Sequence, residues 1–269
     1  MLAAWLAPAF GGLVGIVLAL TGAGGAVLAV PLLVFGLHLG VAQAGPVGLL
    51  AVMLAASLGA LLGLRARQLR YKAAGLMALA GALVSPPGLW LAQRLPDRPL
   101  GALFALVLLA VAVRMFRQAQ RDLRGDSPVT AARGPCRLDP ASGKLHWNWA
   151  CARALLLFGG AAGFLSGLLG VGGGFILVPA LLAMSDLPMK AVTATSMGVV
   201  ALVSLVGVFN AGLTGHMDWA IAWPFAAGAV AGMAVGRLFA ARLAGPRLQQ
   251  GFAALSLLVA ASLLVRAVA

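Results

Sequence analysis

The chain has 269 residues, of which 62% are hydrophobic and 9% charged, and its mean hydropathy is +1.03. That is more apolar surface than a soluble core of this size can bury, which excludes a soluble globular domain and leaves a polytopic membrane protein. The net charge of +13 would suggest nucleic acid in a soluble protein, but here the arginines stand at the ends of apolar segments with no aromatic-lined basic face, so the charge is an orientation signal.

In chain order, the stretch Met1 to Leu20 is apolar. It lacks a basic n-region and its later part matches an internal copy, so it reads as structure and not as a signal peptide. It leads into a glycine break at Gly22-Ala-Gly-Gly25, then Pro31 and a polar corner around His38. Spanning candidates of the roughly 20 residues a bilayer needs follow at Val41 to Leu64, Ala73 to Gln93 and Leu100 to Met115. The first two are separated by the densest basic loop of the half, with Arg65, Arg67, Arg70 and Lys72. Ser85-Pro-Pro87 inside the second predicts a kink or the end of a turn. Residues 117–150 turn polar and basic, which reads as an extramembrane linker. Cys136 and Cys151, in or beside that linker, show neither metal spacing nor a disulfide framework and read as free thiols. Trp147 and Trp149 read as interfacial anchors where the chain re-enters the membrane.

The second half repeats the plan, with spans at Ala191 to Leu213, Trp219 to Leu238 and Leu248 to Val265. An offset of 148 positions lays Gly22, Gly24, Gly25, Val30 and Pro31 on Gly170, Gly172, Gly173, Val178 and Pro179. The expected fold is therefore an all-α polytopic membrane protein of two homologous four-segment halves, 1–116 and 151–269, each opening with a glycine-broken segment. The basic loop after Leu64 matches a loop without basic residues in the second copy, while the next loop reverses the bias. Equivalent loops then face opposite sides, an inverted repeat in which each broken segment is a hairpin that enters and leaves on one side; four plain crossings per half would give parallel repeats instead.

The second break, Gly170-Val-Gly-Gly-Gly174, interrupts an apolar run that should be continuous helix. Glycines inside a helix cost about 1 kcal/mol each, and backbone groups freed in a bilayer must be covered by protein or line a cavity. The half-helix after such a break presents free N–H groups and the positive end of its dipole, which suits an anion. The competing reading is that the glycines only permit close helix packing. A nucleotide loop is excluded, because no Gly-Lys-Ser/Thr follows and Phe175 stands at the third fingerprint position. Thr193, Thr195 and Ser196 at the start of the next helix are candidate hydroxyl donors, or else bond their own helix carbonyls. Asn210 and Gln43 are polar within apolar runs, Asn210 being the better candidate or else glue between helices. There is no Glu, and all six Asp lie in loops or at segment ends, which argues against a cation pathway. His38 and His216 read as interfacial residues, and Lys190 either draws an anion to the mouth or sets topology.

The doubled G-x-G-G-x-x-x-x-V-P pattern, followed in the second copy by Lys190-Ala-Val-Thr-Ala-Thr-Ser196, resembles the TauE/SafE sulfite exporter family, also called the 4-toluene sulfonate uptake permeases. The resemblance covers nearly the whole chain outside the linker. It implies a multi-pass carrier of the bacterial inner membrane for a small sulfur-containing anion such as sulfite or an organosulfonate. Substrates within the family are diverse, so the anion, the direction of flux, the coupling ion and the number of copies stay open. One departure is that Gly45, Val47 and Gly48 stand where the second copy has Thr193, Thr195 and Ser196. The expected partners are the lipid bilayer and a small anion, with no enzyme activity, cofactor, metal or nucleic acid. The expected site is Gly22, Gly24, Gly25, Gly170, Gly172, Gly173, Gly174, Thr193, Thr195, Ser196 and Asn210. A cation or metal exporter and a non-transporting membrane scaffold are the alternatives.

Overall fold

A computed structural model describes residues 2–22, 25–124, 134–137, 148–213, 215, 217–243, 254, 257–258 and 260. Apart from one isolated backbone bridge, the regular structure among them is helical: α1 (Leu2–Thr21), α2 (Gly25–Gly36), α3 (Val41–Arg65), α4 (Tyr71–Arg94), α5 (Asp97–Arg124), α6 (Trp149–Leu169), α7 (Gly174–Met184), α8 (Met189–Leu213) and α9 (Trp219–Leu243). Helices satisfy their backbone internally, as lipid requires. Five stretches, Gln43–Arg65, Tyr71–Arg94, Trp149–Leu169, Met189–Leu213 and Trp219–Phe239, are long and apolar enough to cross a bilayer. Large apolar side chains such as Leu83, Phe209 and Leu238 stand exposed on the outside of the bundle, which lipid would solvate. The expected span Leu248 to Val265 lies outside the described residues save for four helical positions, and Gly24, Trp147 and His216 lie outside them altogether.

Each glycine break separates two helices that double back on one another. α1 stops at Thr21, where Gly22 takes φ +80°, and α6 stops at Leu169, where Gly170 takes φ +69°. α2 then runs antiparallel to α1, with Gly25 packed on Val14 and Leu18 and Gly36 on Phe10, and Gly173 similarly packs on Ala162 of α6. α4 continues through Pro86 and Pro87 to Arg94, so neither proline ends it. The prolines leave the carbonyls of Ala82 and Leu83 without N–H partners, but α6 packs along α4 on both sides of them, and tertiary packing overrides the local cost. α5 also runs past residue 116 to Arg124, so the first part of the expected linker is helix.

The two halves interlock. The most extensive helix pairs are α1 with α9 and α4 with α6, followed by α3 with α8, α3 with α9, and α4 with α8. In the first pair Gly11 faces Phe225, Gly15 faces Ala229 and Gly232 faces Gly12, so α1 and α9 run parallel. In the second, Met77 faces Gly159, Gly81 faces Gly163 and Ser85 faces Gly167, the same contacts shifted by the offset that relates Gly22 to Gly170. α3 and α8 cross antiparallel, with Leu49 at Gly207, Gly59 at Met197 and Gly63 at Ala194. Small residues line these seams because, without a hydrophobic drive between helices in lipid, close backbone packing holds them together.

The free-thiol expectation is corrected. Cys136 and Cys151 form a disulfide, their Cα atoms 4.9 Å apart, and both are buried. Residues 134–137 lie against the bundle: Cys136 is beside Ser185, its N–H donates to the Met184 carbonyl at 3.0 Å, and the disulfide ties it to the start of α6. Sequence spacing of 15 residues carries no sign of this pairing.

Candidate functional site

The tip between α6 and α7 is built on backbone that favours glycine. Gly170, Gly172 and Gly173 have φ of +69°, +71° and +66°, in the left-handed region that costs other residues about 1–2 kcal/mol each. Gly173 is the N-cap of α7, Gly174 its first residue, and no side chain caps the helix start. The first amides of α7 thus lack a side-chain acceptor and point outward from a positive dipole end. A Cβ on Gly172 would sit 3.1 Å from Ser204 Oγ and from Val200 and Val52 Cγ1. Gly172 therefore looks onto α8 and α3.

The three expected hydroxyls stand near the start of α8, toward the other tip. Thr193 packs directly against Gly22 at the other tip, and Ser196, three residues on along the same helical face, is fully buried with no partner for its Oγ. Thr195 is equally buried, but its Oγ1 accepts the Arg70 N–H at 3.1 Å, so it fastens the α3–α4 loop. Asn210 Nδ2 donates to the Val206 carbonyl of its own helix at 2.9 Å. Gly25 is buried at the start of α2, and Gly170 packs against Gly45, the position equivalent to Thr193. Gln43, His38 and Lys190 are exposed.

Sequence reasoning missed Ser204. It is fully buried with an unpartnered Oγ, and the signal was available: Ser196, Val200 and Ser204 recur every fourth residue on one face of α8. Ser166, in the last turn of α6, is a third buried hydroxyl without a partner. Buried polar groups are almost always hydrogen-bonded, so Ser166 and Ser204, two orphans beside this break, single out the place. Beside them Val27 and Phe175, equivalent positions of α2 and α7, close an apolar cavity with Phe104, Val107, Leu108, Val111, Leu169 and Val171. That lining offers no donor to a charge, which leaves the serine side of Gly172 as the polar side of the tip. Among the described residues no three of His, Cys, Asp or Glu gather into a possible metal site.

A family model described as Sulfite exporter TauE/SafE matches residues 7–263. A "Probable membrane transporter protein" of Xylella fastidiosa is 29% identical over 242 residues, covering 88% of this chain and 85% of the relative. Another of that description from Methanocaldococcus jannaschii is 29% identical over 208 residues, 74% of this chain and 69% of its own. One from Bacillus subtilis is 40% identical over 67 residues, 25% of this chain and 24% of its own. No solved structure matches.

Proposed function

Since the chain belongs to the TauE/SafE sulfite exporter family, and is a membrane transporter, we propose that it is a secondary carrier of the bacterial inner membrane for a small sulfur-containing anion such as sulfite or an organosulfonate. The observation that carries this reading is the set of unpartnered buried hydroxyls, Ser204 above all, beside the uncapped amides of α7. Donors arranged in this way replace the hydration of an oxyanion. No bond need form or break. Purified protein in proteoliposomes, assayed with sulfite, an organosulfonate, sulfate, phosphate and a divalent metal, tests it: saturable flux of a sulfur oxyanion supports the reading, and metal flux alone rejects it.

Ser204→Ala is expected to raise KM for the anion about tenfold or more, the loss of one hydrogen bond to a charged group, while thermal stability holds or rises because a buried orphan hydroxyl is removed. Unchanged KM in that variant removes Ser204 from the site.

The antiparallel α3/α8 crossing and the doubling-back of α1/α2 and α6/α7 support the inverted arrangement, from which alternating access follows. Because α1 is seamed to α9 and α4 to α6, the rocking units are these mixed pairs and not the two sequence halves. By the same directions, the ends bearing Arg65, Arg67, Arg70, Lys72, Arg137, Arg153 and Lys190 lie on one face, whereas His38, Arg94, Asp97 and Asp218 lie on the other. The positive-inside rule puts the first face in the cytoplasm. In a Cys136→Ser, Cys151→Ser background, Lys72→Cys at an exposed position of that face should escape an impermeant maleimide in intact cells and react once the membrane is opened. Labelling from outside reverses the assigned sidedness.

A further inference from the structure

Arg237 is a partly buried cation six residues before the end of α9, with no acidic partner among the described residues. It lies near the end of α9, where its neighbour Gly236 packs on Ile16 and Ala19 of α1's final turns. Its Nη2 donates to the Gly59 carbonyl of α3 at 2.8 Å, and its Nε is buried with no partner. Asp218, the acid at the start of α9, is 19 residues away, about 28 Å along the helix at 1.5 Å per residue. Asp97 opens α5 on the opposite face and Asp186 is exposed in the α7–α8 corner. A basic side chain near a helix end ordinarily snorkels to the interface, whereas this guanidinium turns to the Gly59 carbonyl of α3.

The duplication sharpens the assignment. At the offset relating Gly22 to Gly170, Arg237 matches Leu89, Thr193 matches Gly45, Ser196 matches Gly48 and Ser204 matches Ala56. One copy has kept the bare scaffold, and the other holds every polar group of the set. Three of these groups lie toward the first hairpin: Thr193 touches Gly22, Met197 beside Ser196 touches Gly59, and Gly59 holds the guanidinium, whereas Ser204, about 16 Å further along α8, stands beside Gly172 at the other tip. We propose that Arg237 is the fixed counter-charge of the transported anion, its Nε–H bonding an oxyanion admitted between α3, α8 and the end of the first hairpin. This rests on the carrier reading above and adds to it the residue that selects for negative charge. Arg suits the task because its fork offers several donors to one oxyanion.

The test is initial-rate flux and thermal unfolding of wild type, Arg237→Gln and Arg237→Lys, using whichever of sulfite and organosulfonate the wild type carries. Arg237→Gln should raise KM about tenfold or more, with Vmax changed much less and a melting temperature equal to or above wild type. Arg237→Lys should recover most of the affinity, since it restores charge. Unchanged KM in Arg237→Gln overturns the proposal, and so does failure of that variant to fold, which would make the arginine a structural group. Absence of anion flux in the wild type itself counts against the carrier reading on which the proposal rests.

Discussion

Gly172→Leu is expected to abolish anion flux while the protein still inserts and folds. A Cβ at this position meets Ser204, Val200 and Val52 at 3.1 Å, a tight but side-chain-only contact that neighbours relieve by small shifts. The positive φ adds about 1–2 kcal/mol of strain, which a bundle seamed along several helices tolerates. The rest of the leucine side chain has to occupy the space beside the serines, where the anion belongs. The adjacent glycine behaves differently: a side chain on Gly173 would collide with the Ala162 backbone, so Gly173→Leu should lose flux and stability together. Melting temperature and flux measured on both variants check the distinction. Normal flux in Gly172→Leu would remove the tip from the transport path.

Gly163→Leu should be the most damaging change to the fold. A side chain there has to enter the Gly81 backbone across the α4–α6 seam, where no rotamer change makes room. Overpacking a core commonly costs about 1–3 kcal/mol, and with backbone on the far side the upper end or beyond is expected. Gly15→Leu attacks the equivalent α1–α9 seam at Ala229 and should act alike. Thermal unfolding in detergent should show a large loss for each. Full stability in either variant would mean that the seams do not hold the halves together.

Both breaks were legible in the sequence because clustered glycines disfavour helix at one defined point of an otherwise apolar run, and the matching offset located the second from the first. The helices themselves followed from apolar length. What stayed hidden depends on neighbours distant in sequence. That α4 runs on through Pro86 and Pro87 depends on α6 packing on both sides of them. Cys136 reads as a free thiol until the linker is seen lying against Met184. Thr195 accepts the Arg70 amide, a contact to the α3–α4 loop that residue type alone does not reveal. Ser204 and Arg237 were readable in principle, as an every-fourth-residue serine stripe and as a basic residue short of a helix end. Their importance emerges only when their polar atoms prove to lack partners.

The most direct measurement is titration of purified wild type and Gly172→Leu with sulfite and, separately, with an organosulfonate, alongside their melting temperatures. The account predicts saturable binding of at least one of these anions to the wild type and none to the variant, with both proteins folded. Equal binding by the two proteins, or none by the wild type, would contradict an anion held at the glycine tip.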